Sequence, residues 1–166
     1  MGEPSFCHSV PNKCPTRRNI IMKQGLTDEN YEALISYRMQ RSHETLAEVP
    51  FLKEQGFFNT ATNRLYYACY YAAVALLLKH RITTETHAGV KSKLGLHFVA
   101  TGKISKESGR AFTNIFDCRQ RGDYDDYYYS SKEEVEELFP KAKRFIEEVE
   151  ALLRKEEAKQ EGSGID

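Results

Sequence analysis

The sequence predicts an all-α protein, an up-and-down bundle of four to five helices. Apolar residues recur three and four apart through most of its length, the residues that separate these stretches include Gly56, Gly102 and Gly122, and no run of useful length alternates apolar and polar side chains. A chain of 166 residues suits one domain with one hydrophobic core. The expected organisation is a flexible extension over 1–21, a helical domain over 22–159 and a loose tail over 160–166.

The extension, MGEPSFCHSVPNKCPTRRNII, holds three of the five prolines and lacks the apolar centre of a secretory signal. Phe6 stands where a myristoylation signal requires Ser or Thr. Cys7, His8 and Cys14 are too loosely spaced to read as a metal site, and Met22 directly precedes the patterned region, so the segment ahead of it reads as an upstream extension of the reading frame. Helix one follows from Thr27-Asp-Glu-Asn30, which offers cap candidates, through Tyr31, Leu34, Ile35, Leu46 and Val49 to Pro50. Helix two runs from Asn59 to about His80. Its Ala61, Leu65, Ala68, Cys69, Ala72, Val74, Ala75 and Leu76 form an apolar surface broad enough for the centre of the bundle.

After the polar turn Thr83-Thr-Glu-Thr86, Val90, Leu94 and Phe98 mark one face of a shorter third helix closed by Gly102. Ser105 caps a fourth that carries Ala111, Phe112, Ile115, Phe116 and Cys118 and ends at Gly122. Ser131-Lys-Glu-Glu134 has the form of a capping box for a fifth, whose Val135, Leu138, Ala142, Phe145, Val149 and Leu152 continue towards Lys159. Pro140 lies inside it. Because an interior proline removes a backbone hydrogen bond and clashes with the preceding turn at ~3 kcal/mol, a kink or a restart is expected there.

Composition narrows the function. Lys+Arg and Asp+Glu both number 24, so the net charge is zero and attraction to nucleic acid or to a membrane surface has to come from a local patch. The longest apolar run, Ala72 to Leu78, falls far short of the ~20 residues that cross a bilayer. The four cysteines lack zinc-type spacing and suit reduced thiols in the cytoplasm. There is no Gly-rich phosphate loop, HExxH or GxSxG, which removes the common kinase and hydrolase readings, and no metal or other cofactor is expected.

Cations and phenols concentrate in three places. On helix two, Arg64, Tyr67 and Tyr71 share a face. They read either as a helix seam with hydroxyls at its rim or as a groove where guanidinium meets phosphate and rings meet bases. His87 and His97 bracket helix three and read as capping or surface residues ahead of catalysts. The third concentration is Arg119-Gln-Arg-Gly-Asp-Tyr-Asp-Asp-Tyr-Tyr-Tyr129.

Three segments together resemble the HEPN domain, in its small stand-alone branch. They are Asn63-Arg-Leu-Tyr-Tyr-Ala-Cys-Tyr-Tyr-Ala-Ala73; Thr86-His-Ala-Gly-Val90 with Gly95-Leu-His-Phe-Val99; and Arg119-Gln-Arg-Gly-Asp-Tyr124 with Ser131-Lys-Glu-Glu134. The resemblance runs from about Met22 to Lys155. It implies a helical bundle that dimerises and is often encoded beside a minimal nucleotidyltransferase as a toxin–antitoxin pair. Active relatives are implied to be metal-independent endoribonucleases that pair an Arg with a His a few residues on, the Arg clamping phosphate while the His moves the ribose 2′-hydroxyl proton.

Here Tyr124 takes the place of that His. A phenol ionises near pH ~10 against ~6.5 for imidazole, so it is a poor base at neutral pH. The leading reading is an RNA- or nucleotide-binding homodimer whose cleft is lined by Arg119, Arg121 and Tyr124 with Arg64 and Tyr67, and which has a small nucleotidyltransferase partner. Two alternatives stand beside it. One is an endoribonuclease that uses Arg119 with Tyr124, or with a spatially close His87 or His97; the other is a non-catalytic dimeric adaptor. The resemblance also implies transfer of AMP by the partner to a tyrosine near the Arg motif, for which Tyr124, Tyr127, Tyr128 and Tyr129 are the acceptors.

Overall fold

In a computed structural model of the chain, residues 27–124 and 129–162 are described. The expected extension over 1–21, the side chain of Tyr124, and Tyr127 and Tyr128 lie outside the described residues. The fold is all-α. Helices α1 (Asp28–Glu54), α2 (Phe58–Lys79) and α3 (His87–Leu94) are followed by a π-helical turn (Gly95–Val99), α4 (Lys106–Tyr124) and α5 (Lys132–Gly162).

The helix starts follow local chemistry. Thr27 Oγ1 accepts from Asn30 N at 3.3 Å, Ser105 Oγ from Ser108 N at 3.2 Å and Ser131 Oγ from Glu134 N at 3.2 Å, each satisfying an amide that has no partner within its helix. Glu148 of α5 reinforces the start of α4 by accepting from Ser105 N at 2.7 Å and Ser105 Oγ at 2.9 Å. Between α1 and α2 the chain turns at Gly56, whose φ of 77° is a conformation that a side chain would oppose.

Several ends depart from expectation. Helix α1 continues through Pro50 to Glu54, because buried Val49 and partly buried Leu52 hold both sides of the proline against the bundle. Helix α5 does not restart at Pro140: Leu138, Ala142 and Phe145 are buried on either side of the exposed proline and carry the helix across it. It extends past Lys159 to Gly162, and α4 passes Gly122 to reach Tyr124. Helix three divides into α3 and the π-helical turn, where Ala100 N donates to Gly95 O at 2.9 Å.

Helix α2 is the central element and contacts α1, α3, α4 and α5. Ala61, Leu65, Ala68, Cys69, Ala72, Ala75 and Leu76 are fully buried, and the alanines let neighbouring helices come close. One such approach is sealed by Ser42 Oγ of α1, which donates to Ala68 O at 2.7 Å. Phe112 of α4 packs on Phe145 of α5 with ring centroids 5.3 Å apart. Among the described residues no helix is long and apolar enough to cross a membrane.

Candidate functional site

The site is built where α2, the start of α3 and the end of α4 meet. Tyr66 has no exposed surface, and its hydroxyl lies 2.6 Å from His87 Nδ1. The His87 ring is set among phenols, with centroids 4.6 Å from Tyr70, 5.6 Å from Tyr66 and 6.0 Å from Tyr67. The Arg119 guanidinium stands 5.5 Å from the centre of the Tyr66 ring, near enough for cation–π attraction. An arginine, an imidazole and three tyrosines therefore share one place.

Local sequence explains why His87 is held so firmly. Thr86 caps α3 by accepting from Gly89 N at 3.0 Å. A Cβ at Gly89 would fall 2.2 Å from Thr84 Oγ1 and 3.0 Å from Thr86 Oγ1, so a side chain here would force Thr84 to turn aside. Thr84 Oγ1 also donates to Thr86 O at 3.3 Å. These contacts fix the first turn of α3 and the direction in which His87 leaves it.

Electrostatics decides the protonation. Burial, and then the Arg119 charge, lower the His87 pKa below its ordinary 6.5, so the imidazole is neutral at neutral pH. Burial pushes the Tyr66 phenol well above its ordinary value, and the phenol keeps its proton. Among the described residues His87 is the only hydrogen-bond partner of the Tyr66 hydroxyl. A buried hydroxyl with one partner donates to it, because leaving the O–H unused costs about 1–3 kcal/mol. With Nδ1 accepting, the neutral ring carries its proton on Nε2. His87 thus offers a hydrogen-bond donor beside the Arg119 cation, an arrangement suited to phosphate oxygens.

Arg119 and Tyr67 are in the cluster. Arg64 leans towards α1, its Nε 3.2 Å from Glu48 Oε2. Arg121 points towards α5, with Nη2 3.2 Å from Cys118 Sγ and 4.0 Å from Glu134 Oε1. Tyr71 joins the α1 side, where Arg38 and Arg41 lie 5.6 Å and 6.0 Å from its ring. Tyr129 is 76% exposed. His97 sits in the π-helical turn, away from this cluster.

Sequence pattern alone does not mark Tyr66 as a site residue and offers His87 only as an alternative to Tyr124. The sequence does carry a signal for both: a tyrosine among the small apolar residues of the most buried helix needs a polar partner, and Thr86-His87-Ala-Gly89 presents an imidazole at a tightly capped helix start.

A UPF0332 protein of Thermotoga maritima is 34% identical over 122 residues, covering 74% of this chain and 92% of that protein. Two Methanocaldococcus jannaschii proteins provisionally named as toxins are 32% and 26% identical, over 76% and 80% of this chain and 90% of each of theirs. The model of the HEPN domain matches residues 35–152, a span that contains Tyr66, His87 and Arg119, and the chain belongs to the HEPN domain family.

Proposed function

We propose that this protein is the toxin component of a two-component pair and acts by binding RNA at the Tyr66–His87–Arg119 site. The toxin assignment draws on the names of the two Methanocaldococcus relatives. The binding role rests on one observation: the buried Tyr66 hydroxyl lies 2.6 Å from His87 Nδ1 in a cluster that also holds the Arg119 guanidinium, and with the phenol donating, Nε2 would be a second donor beside that cation. Two donors, one of them charged, would receive a phosphate, and the partly exposed Tyr67 and Tyr70 rings would receive a base or sugar.

The protein works as a homodimer in this reading, with a small nucleotidyltransferase as its partner. Transfer of AMP from ATP to the hydroxyl of a tyrosine near Arg119, with the α–β phosphoanhydride broken, pyrophosphate leaving and the phenol proton lost, would place negative charge where RNA phosphate binds and switch binding off. Tyr129 is open to such an enzyme.

Fluorescence anisotropy with a labelled single-stranded RNA of roughly ten nucleotides tests the proposal. Wild-type protein should bind in EDTA without cleaving, and Arg119→Ala should weaken binding roughly tenfold or more, as expected for loss of a charge-assisted hydrogen bond. Rapid cleavage that requires Arg119 and His87 would replace this reading with the endoribonuclease one. Absence of RNA binding would leave the adaptor.

A further inference from the structure

A groove separates α3 and the π-helical turn from α4, with a volume of about 490 Å³. Leu94, Val99 and Phe112 form its apolar floor, and Lys91, Lys106 and Arg110 stand along it. Lys91 is balanced: its Nζ lies 3.2 Å from Asp117 Oδ1 and 4.4 Å from the centre of the Phe116 ring. Lys106 and Arg110 are not. Both are exposed, and among the described residues neither has a hydrogen bond or an ion pair.

These two cations are four residues apart on one helix, a spacing at which like charges repel. The chain as a whole carries no net charge, so this is a local excess and not one sample of a basic surface. It borders a groove with room for a ligand. Charge complementarity therefore selects an anion.

The groove also leads somewhere. Lys91 lies against Asp117 and Val99 lies against Gly109, so α3 with its π-helical turn runs antiparallel to α4. One end of the groove then approaches His87 and Arg119, and the other reaches Lys106. From Arg119 to Lys106 is about 20 Å along the helix axis at ~1.5 Å per residue. Gly95 adds no side chain to the wall, with nothing within 4 Å of where its Cβ would be.

Building on the RNA-binding reading, we infer that this groove is a second phosphate subsite, in which Lys106 and Arg110 hold the flank of a single RNA strand whose other part occupies the Arg119 site. The length of the track makes a single strand of several nucleotides the ligand, in place of a mononucleotide. Lys91 contributes from the opposite wall, where Asp117 holds its ammonium in position. The buried Phe112 offers no ring face for stacking, so the groove grips the backbone and leaves the base sequence unread.

The test compares labelled single-stranded RNA of roughly ten nucleotides with AMP, using wild type, Arg119→Ala, the pair Lys106→Gln/Arg110→Gln, and the charge-keeping pair Lys106→Arg/Arg110→Lys. The glutamine pair should weaken RNA binding about tenfold or more and lower the slope of log K against log salt by about 1.4, the value for two lost phosphate contacts on a single strand. Its AMP affinity should equal that of wild type, and the charge-keeping pair should bind RNA as wild type does. Circular dichroism melting shows that each variant is folded. Unchanged RNA affinity and salt slope in the glutamine pair, with binding still lost in Arg119→Ala, would overturn the groove and leave the Arg119 site standing. Weakened AMP binding in the glutamine pair would overturn the strand in favour of a free-nucleotide pocket. Wild-type protein that binds no RNA would end both.

Discussion

His87 shows how much one hydrogen bond decides. Were Nδ1 protonated and donating to the Tyr66 oxygen, Nε2 would be a lone-pair acceptor able to take a 2′-hydroxyl proton. With the Tyr66 hydroxyl donating, Nε2 carries the proton and would be a donor to phosphate in the proposed site. Long-range 1H–15N correlation spectra should therefore report the Nε2-protonated tautomer at neutral pH, and the Nδ1-protonated form would reverse the reading. The pH dependence has a definite sign. Because the folded pKa of His87 is held below 6.5, the folded state binds this proton less readily than the unfolded chain. The contribution to stability is fully present above about pH 6.5 and is lost as pH falls through the folded value. Urea midpoints measured from about pH 8 to pH 5 should fall more steeply for wild type than for His87→Gln, and equal slopes would contradict the assignment.

At the scale of elements, the start of α3 is where local sequence and site geometry meet most tightly. Replacing Gly89 by Ala gains helix propensity of about 1 kcal/mol, yet its Cβ would meet Thr84 Oγ1 at 2.2 Å and disturb the Thr86 cap. The clash should dominate, with a net loss of about 1–2 kcal/mol by thermal unfolding and a changed His87 ring environment in NMR spectra. A more stable Gly89→Ala variant with unaltered His87 signals would show that the cap does not aim the ring. The same contrast explains what was legible. The serine and threonine caps at Thr27, Ser105 and Ser131 involve residues three apart, so local sequence reveals them. Pro50 and Pro140 signal helix breaks locally, but Val49, Leu138 and Ala142 are anchored by other helices, and tertiary burial prevails. The all-α class and the HEPN resemblance follow from patterns spread along the chain. The Tyr66–His87 bond joins residues 21 apart, and its meaning depends on a burial that no local pattern displays.

For the molecule as a whole, the floor of the site is part of the core. Tyr66 is fully buried, its ring lies 6.3 Å from Phe112, and Phe112 packs on Phe145 at 5.3 Å. The core and the proposed binding site therefore meet along one chain of rings from α5 through α4 to α2, and different substitutions should separate stability from binding. Phe145→Ala empties a fully buried position and should cost about 3–5 kcal/mol, a large part of the ~5–15 kcal/mol that keeps a typical domain folded. Its RNA affinity, measured well below its melting temperature and corrected for the folded fraction, should stay within a few-fold of wild type, because Arg119 and His87 keep their places in folded molecules. Arg119→Ala should behave in the opposite way, with a melting temperature near that of wild type and greatly weakened binding. Parallel losses in both variants, after the same correction, would mean that Arg119 acts through the core and that the cluster is a packing seam with no ligand of its own.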